Sequence, residues 1–309
     1  MDSLLLQRRN DAVATNPPNA TFALTENGSS WLWAVFCVMA LSCIIIAALS
    51  LFKPMGYRIF YLLNVAILAT ASVSYFSLAS DLGLTPVTVE FRGPGTRQIA
   101  YVRYIDWFVT TPLLLTELLL TAGLPTNIII STIFADLVMI ITGLAGALVV
   151  SRYKWGYYTM GCVAMLWVFW NVFTGIKVSG NIGPDVRKSY TLLAVWLMII
   201  WLNYPICWGL AEGGNRITVV GEMVYYGVLD LLAKPVFAAI SLAVHSKIEL
   251  SRLGLNNEPR MGQIALTNGN TVVEKRHGQR GIEGGAGVDD YGAPAGAGTG
   301  HVQQGAANV

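Results

Sequence analysis

Two charged residues near the middle of the last long apolar segment are the first candidates for chemistry. Asp230 and Lys234 lie four residues apart in a stretch otherwise apolar enough to cross a bilayer. A charge at the centre of a spanning helix costs roughly 2.5–3.5 kcal/mol on insertion scales, so it is a functional candidate by default. An amine in a low dielectric loses its proton more easily and can condense with a carbonyl, which predicts a Schiff-base lysine with its counter-ion. A structural ion pair within a helical bundle explains this pair alone equally well.

A second set of chemically active residues lies on the third apolar segment. Six residues related by steps of three and four share one helical face: Arg103, Asp106, Trp107, Thr110, Leu114 and Glu117. Charges on one face of a spanning helix should point into the bundle rather than toward lipid. At 1.5 Å per residue, Asp106 and Glu117 are roughly 16 Å apart along the axis. We therefore expect two aspartates on the external side of Lys234 and Glu117 isolated on the inner side.

This order by depth suits a proton path. Arg103 should balance the charges of Asp106 and Asp230 beside the lysine, whereas Glu117, which has apolar neighbours, should keep its proton. An acceptor and a donor on opposite sides of a switchable base are the minimum for vectorial proton transport. Polar contacts between helices would explain one or two of these groups, but not the alignment of all of them by depth.

The composition places these residues in a polytopic membrane protein. Of the 309 residues, 54% are apolar and 12% are charged, and apolar runs near the spanning length of about 20 residues recur. We predict an all-α membrane protein, a seven-transmembrane-helix bundle with spans at residues 31–52, 57–80, 98–121, 126–149, 155–176, 188–211 and 219–245. Residues 87–91 and 96–100 flank an Arg-Gly-Pro-Gly turn, which predicts a short extracellular β-hairpin between helices 2 and 3.

The domain organisation and topology follow from composition and basic residues. We expect an extracellular tail at residues 1–30, a bundle at 31–250 and a disordered, Gly/Ala-rich cytoplasmic tail at 251–309. Basic residues near the helix ends favour this orientation, and the plasma membrane is the expected location. The sequons at Asn19 and Asn27 would then be external, and whether they are glycosylated is left open.

Several classes of function find no support in the sequence. The formal net charge of +2 gives no case for nucleic acid. The four cysteines lie within predicted spans without metal-ligand spacing, so we expect no metal. We also expect no enzymatic activity. The expected partner is the lipid bilayer, and self-association into homo-oligomers is left open.

The motifs of the third and seventh segments resemble those of microbial rhodopsins, the retinal-binding seven-helix family, and especially the fungal branch near bacteriorhodopsin. They are Arg103-Tyr-Ile-Asp106-Trp107 with Thr110-Thr111-Pro112, and Asp230-Leu-Leu-Ala-Lys234. The resemblance covers roughly residues 31–250. It implies that Lys234 carries all-trans retinal as a Schiff base, that Asp106 is the proton acceptor with Asp230 as second counter-ion, and that Glu117 is the proton donor.

The same resemblance implies a retinal pocket and further residues of the proton pathway. In the sixth segment Trp201, Tyr204, Pro205 and Trp208 share one face, and aromatic planes suit a flat polyene, although such a stripe alone is more often bundle packing. The implied pocket consists of Trp107, Thr111, Met139, Gly143, Trp201, Tyr204, Pro205 and Trp208. The implied pathway adds Arg103, Tyr75, Thr110, Glu212 and Glu222, with Asp136 bonded to Thr111 in a structural role.

Some positions depart from the pattern of bacteriorhodopsin. Glu117 replaces an aspartate, and Asn64 replaces a threonine that links the donor to the Schiff base. Glu222 fits one proton-release glutamate, whereas Glu212 fits the other only with a gap, so we expect no fast release complex. Pro235 cannot donate a backbone hydrogen bond and should kink the helix beside Lys234. His245, His277 and His301 all fall outside the expected bundle centre.

The interpretation that these residues favour is a light-driven outward proton pump. A slow-cycling sensory photoreceptor, acting through a signalling partner or the long tail, is the alternative that Glu117 and Asn64 keep open. An anion pump is disfavoured by the negative charge of Asp106, and a non-photoactive relative by the presence of Lys234. Other seven-helix receptors or transporters fit the span count but do not predict the motif of the third segment.

Overall fold

The computed structural model describes residues 10–91 and 93–255, and seven long helices dominate this part of the chain. In chain order they are α1 (Glu26–Leu51), α2 (Ile59–Ala79), α3 (Tyr101–Thr121), α4 (Thr126–Leu148), α5 (Lys154–Ile182), α6 (Pro184–Gly213) and α7 (Val219–His245). All except α3 are long and apolar enough to cross a membrane, and α3 is a further helix of 21 residues carrying three charges. The predicted helical bundle is therefore confirmed. The predicted tails lie largely outside the described residues, at 1–9 and 256–309.

Three helix ends differ from the prediction by four residues or more, because hydropathy does not register capping. The first helix begins at Glu26 rather than at residue 31, since the Thr25 hydroxyl accepts a hydrogen bond from Gly28 N and caps the first turn. The fifth helix continues through polar residues to Ile182, six residues beyond the predicted end. Gly183 then precedes Pro184, which starts the sixth helix at its first turn.

Helix α3 is the most enclosed part of the bundle. Its buried residues include Arg103, Asp106 and Glu117, each at most 2% exposed. The outer helices instead present large apolar side chains outward, such as Ile44, Ile130 and Trp170, which are 62–67% exposed. An apolar exterior around a polar interior suits a lipid environment, because charged side chains in a membrane face the bundle core.

The predicted hairpin is present at one end of the bundle, which we call the hairpin end. Strands β1 (Thr85–Thr88) and β2 (Thr96–Ile99) pair antiparallel, with Val87 opposite Arg97. The first strand starts two residues earlier than expected. The segment before α1 adds to the edge of this sheet, since Phe22 N donates to Thr96 O and Phe22 O accepts from Gln98 N.

Two π-helical turns interrupt the last two helices at chemically active residues. One spans Gly209–Gly213 and carries Glu212, and the other spans Leu232–Val236 and carries Lys234 and Pro235. Pro235 has no N–H for the α-helical hydrogen bond, and the wider turn accommodates this loss. Within this turn the Leu232 carbonyl accepts a hydrogen bond from Trp196 Nε1 at 3.1 Å. The sequence predicted a kink at Pro235, and the structure shows this π-helical turn.

Candidate functional site

Lys234 lies at the centre of the site, where α7 meets α3. Its Nζ atom is 2.5 Å from Asp106 Oδ2 and 3.3 Å from Asp230 Oδ1. All three side chains are at most 2% exposed. The structure therefore brings together the amine and both aspartates that the two helical motifs predicted, one from across the bundle and one from the preceding turn of α7.

The two aspartates differ in what else they bind. Asp230 accepts hydrogen bonds from the hydroxyls of Tyr75 and Tyr204, each at 2.6 Å. Asp106 contacts Lys234 through Oδ2, while its Oδ1 has no hydrogen-bond partner among the described residues. Hydrogen bonds donated to a carboxylate stabilise its charged form. Asp230 is thus the better stabilised anion, and Asp106 is the carboxylate more available for a proton.

A network of paired charges lies between Lys234 and the hairpin end; we call it the hairpin-side network and define it as Arg97, Arg103, Glu212 and Glu222. Glu222 bridges the two arginines, with Oε1 2.6 Å from Arg103 Nη1 and Oε2 2.7 Å from Arg97 Nη2. Arg97 comes from strand β2 and is 1% exposed. Removing one partner of such a buried pair is costly, because the other charge is left uncompensated.

Glu212 occupies the other side of Arg103. Its Oε1 lies 4.0 Å from Arg103 Nη1 and accepts a hydrogen bond from the Tyr104 hydroxyl at 3.1 Å. The hydroxyl of Tyr226 donates to Oε2 at 3.4 Å, and the Arg103 guanidinium stacks 4.2 Å from the Tyr226 ring centre. The structure therefore places both Glu212 and Glu222 next to Arg103, despite the imperfect fit that the sequence suggested for Glu212.

A second polar cluster lies on the opposite side of Lys234; we call it the Glu117 cluster and define it as Asn64, Glu117, Thr121, Ser241 and His245. Asn64 Nδ2 donates to both carboxyl oxygens of Glu117, at 2.8 and 3.0 Å. The Ser241 hydroxyl donates to Glu117 Oε1. Glu117 is 0% exposed. Its described hydrogen-bond partners are neutral side chains, which distinguishes it from the carboxylates near Lys234.

The two threonines of the third helix have different surroundings. The Thr110 hydroxyl donates to the backbone carbonyl of Asp106 at 2.9 Å, so it is turned toward its own helix. The Thr111 hydroxyl donates to Asp136 Oδ2 at 2.6 Å and links α3 to α4. The structure thus places Thr111 and Asp136 together, as the resemblance implied, and places Thr110 one turn beyond Asp106 without a side-chain partner among the described pathway residues.

A cavity leads to Lys234 between the helices. Its lining includes all eight predicted pocket residues: Trp107, Thr111, Met139, Gly143, Trp201, Tyr204, Pro205 and Trp208. The lining also includes Asp230 and Lys234 and is otherwise mostly aromatic or aliphatic. The apolar, aromatic lining fits a flat hydrocarbon chromophore attached at Lys234.

Gly143 contributes to the cavity through its missing side chain. A Cβ atom at this position would lie 3.3 Å from Tyr104 Cε1, and the Gly143 carbonyl accepts a hydrogen bond from Trp208 Nε1 at 3.2 Å. A larger residue would therefore crowd Tyr104 and the indole that lines the cavity. A small residue at position 143 therefore keeps this part of the cavity open.

Some residues of the site were not recognised from the sequence. The sequence assigned no role at the site to Arg97, Ser241 or Tyr226, and it placed His245 outside the expected bundle centre. Ser241 lies seven residues after Lys234 and His245 four residues later, so both share a helical face with the lysine, a signal that could have been used. The pairing of Arg97 with Glu222 joins a strand to a helix 125 residues away, and periodicity carries no information about it.

Comparisons with known proteins agree with this geometry. Residues 26–248 match the family described as bacteriorhodopsin-like protein. The chain is 47% identical to protein FDD123 of Trametes versicolor over 249 residues, which are 80% of this chain and 88% of that protein. The protein belongs to the bacteriorhodopsin-like family.

Two solved structures have a similar fold. The light-driven proton pump rhodopsin of Coccomyxa subellipsoidea aligns with a TM-score of 0.70 and 36% identity, over 72% of this chain and 98% of that chain. The light-driven proton pump of Leptosphaeria maculans aligns with the same TM-score and identity, over 75% of this chain and 98% of that chain. Family membership implies a retinal chromophore and an integral membrane protein.

Proposed function

We propose that this protein is a light-driven outward proton pump whose chromophore is all-trans retinal bound to Lys234. The observation that carries the proposal is the pair of dissimilar sites on either side of Lys234 Nζ. Asp106 Oδ2 lies 2.5 Å away toward the hairpin end, and Glu117 belongs to a separate buried cluster on the other side. The solved relatives named above, both described as light-driven proton pumps, support the same conclusion.

Retinal, when bound, supplies light absorption and an isomerisation that changes the environment of the proton at Lys234 Nζ. The chain's own residues determine where that proton goes. Asp106 accepts it, because its Oδ2 is in contact with Nζ and its Oδ1 has no partner among the described residues. Tyr75 and Tyr204 hold Asp230 as the fixed counter-ion.

Arg103 and the two glutamates provide the route from Asp106 toward the hairpin end. Arg103 lies one helical turn before Asp106 and binds Glu222, with Glu212 at 4.0 Å. When Asp106 becomes neutral it no longer attracts the guanidinium, so Arg103 would be held more strongly by these two carboxylates. Arg97 keeps a second positive charge beside Glu222.

Glu117 returns a proton to Lys234 Nζ from the other side. Its surroundings include Leu114, Leu115 and Leu118, which are buried and exclude water. Asn64 suits both protonation states of Glu117: its Nδ2 donates to the carboxylate, and its Oδ1 can accept from the carboxylic acid after a 180° rotation of the amide. Asn64 therefore holds Glu117 in place without a positive charge.

The membrane orientation is part of the proposal. Basic residues are more numerous at the end opposite the hairpin: Lys53, Arg58, Lys177, Arg187, Lys188, Lys247 and Arg252. An excess of positive residues marks the cytoplasmic side, so the hairpin end is external and protons leave there. The plasma membrane is the proposed location.

The test is a flash experiment on the full chain with retinal in proteoliposomes of known orientation. We expect acidification on the hairpin side that an uncoupler abolishes. Asp106→Asn is the matched control, because it retains the pigment but lacks the acceptor. Extraction of the dark-adapted pigment should yield all-trans retinal. A pigment that cycles without any uncoupler-sensitive pH change would refute the pump.

One observation favours a sensory photoreceptor as the second candidate. Both carboxyl oxygens of Glu117 are bonded to neighbouring side chains, and the bonds to Asn64 and Ser241 must rearrange before a proton can leave, which favours a slow cycle. A cycle lasting seconds, with no pH change in the same proteoliposomes, would support sensing. The duration of the cycle and the pH signal thus separate the two candidates in one experiment.

A further inference from the structure

A continuous set of hydrogen bonds extends from Glu117 to His245, away from Lys234. The Ser241 hydroxyl contacts Glu117 Oε1 and lies 3.0 Å from His245 Nδ1. The other ring nitrogen, Nε2, lies 2.7 Å from the Thr121 hydroxyl. Both nitrogens of the imidazole therefore have partners, and one of those partners is in direct contact with the carboxyl group.

The position of the Thr121 proton determines the tautomer of His245. The Thr121 hydroxyl donates to the backbone carbonyl of Glu117 at 2.8 Å, so its oxygen accepts from His245 Nε2–H. In the neutral ring Nδ1 is then the acceptor that faces Ser241. When Glu117 is protonated, its carboxyl O–H donates a hydrogen bond to the Ser241 oxygen, and the Ser241 O–H donates a hydrogen bond to Nδ1. When Glu117 is charged and the ring doubly protonated, both bonds reverse.

The imidazole crosses an apolar layer that otherwise closes this end of the bundle. Its ring stacks on Phe60 at 3.7 Å, and Phe60 belongs to a buried cluster formed with Val186, Ile248, Leu250 and Leu253. His245 is 7% exposed, whereas Glu117, Ser241 and Thr121 are each 0% exposed. Within the Glu117 cluster, His245 is thus the member closest to solvent.

We propose that His245 is the relay that takes up a proton at this end and reloads Glu117 through Ser241. The proposal rests on the proposed function of Glu117 as donor to Lys234. A proton from solvent binds Nδ1, the ring nitrogen that carries none in the neutral form. Nδ1 passes this proton to the Ser241 oxygen, and the Ser241 hydroxyl gives its own proton to Glu117 Oε1. One proton enters and one arrives at the carboxylate, and the ring returns to its neutral form.

The groups that face the ring suit this exchange. Phe60 of α2 stacks on the ring, Thr121 of α3 bonds to Nε2, and Glu117 lies beyond Ser241. Glu117 is the ionisable member of this group. A charged Glu117 therefore favours the uptake of a second proton by the ring. A neutral Glu117 favours the loss of that proton, so the charge of Glu117 controls when the ring is loaded.

The closing experiment follows the carboxyl band of Glu117 by time-resolved infrared spectroscopy of the full-chain pigment. In His245→Asn the amide can still bond to Ser241 but cannot carry a proton. We expect the first transfer from Glu117 to Lys234 Nζ to keep its rate, and the reloading of Glu117 to slow about 10-fold or more. The slowed step should also become proportional to the proton concentration of the solution.

Two further variants separate proton relay from packing. Imidazole added to His245→Ala should restore reloading, because a free ring can occupy the space left by the side chain. Phe60→Leu removes the stacking partner but keeps the relay, so it should reload Glu117 near the rate of the wild-type protein. Wild-type reloading in His245→Asn would overturn the proposal. Equal slowing in Phe60→Leu, or no effect of imidazole on His245→Ala, would overturn it as well.

A static measurement keeps this test independent of the pump. Nitrogen-15 spectra of His245 in the unilluminated wild-type pigment should show the neutral ring protonated at Nε2, and a ring protonated at Nδ1 alone would contradict the relay. If protons are not pumped but the Glu117 band recovers through His245, the pump fails and the relay stands. If the Glu117 band never changes in the cycle, the donor role itself fails.

Discussion

The buried carboxyl groups on the two sides of Lys234 have different kinds of partner. On the hairpin side, Asp106, Asp230 and Glu222 each contact a cation directly. On the other side, Glu117 is bonded to an amide and a hydroxyl. Burying a charge is costly unless it is paired, whereas a neutral carboxylic acid needs only hydrogen bonds. The first arrangement therefore suits groups that are charged before illumination, and the second suits a group that stores a proton.

The largest expected effect comes from removing the amine that both sides share. Lys234→Ala should give no visible pigment when retinal is added, because no other amine lines the described cavity. Absorption spectra of the purified protein with and without retinal measure this. A normal pigment from Lys234→Ala would show that the site is assigned to the wrong residue.

Neutralising the charged side should stop transport without removing the pigment. Asp106→Asn loses the acceptor and one counter-ion together, so the pigment should shift to the red and pumping should fall to the background without light. Asp230→Asn is the matched variant, since it removes a counter-ion held by Tyr75 and Tyr204 but leaves the acceptor. Equal loss of the proton transfer in both variants would remove the distinction between the two aspartates.

Neutralising the other side should change kinetics and leave colour nearly unchanged. Glu117→Gln keeps the hydrogen bonds to Asn64 and Ser241 but has no proton to give, so return of the proton to Lys234 Nζ should slow about 100-fold. Azide should partly restore the rate by carrying protons. Flash absorption at several azide concentrations measures both, and unchanged decay would point to a donor other than Glu117.

A smaller effect is expected where the hairpin supports the charged side. Arg97→Gln leaves Glu222 with Arg103 alone and should lower the free energy of unfolding by about 1–3 kcal/mol, with little change in colour. Arg97→Lys retains the positive charge and should lower the free energy of unfolding by less. Thermal bleaching of the pigment ranks the variants, and an unchanged midpoint for Arg97→Gln would mean that the Glu222 pair adds no stability.

The smallest effect concerns Asp81, outside the spanning helices. Burial raises the pKa of this carboxyl, against a lowering by hydrogen bonds from Gln98. A folded-state pKa above the unfolded value means that stability falls as pH rises from the unfolded value through the folded one. Asp81→Asn removes this loss and tolerates the positive φ of 57°, so it should stabilise the protein at neutral pH by on the order of 0.5 kcal/mol. Thermal bleaching at acidic and neutral pH tests this: the gain should vanish at acidic pH, and a gain independent of pH would contradict the explanation.

Much of the fold and the centre of the site could be predicted from sequence because the decisive relations are local. Asp230 and Lys234 are one turn apart, and Arg103, Asp106 and Glu117 follow one face of a helix whatever surrounds it. Helix ends were less accurate, as at Glu26 and Ile182, because capping and internal hydrogen bonds extend helices beyond their apolar parts.

The sequence by itself determined the seven helical segments, the turn of the hairpin and the order of charges along α3 and α7. Only the tertiary structure decided which groups meet across helices. It placed Arg97 on Glu222 and connected Glu117 through Ser241 to His245. These contacts depend on the rotation and depth of each helix against its neighbours, and side-chain packing between distant segments sets both. Periodicity within a segment gives the face of a residue but not its partner.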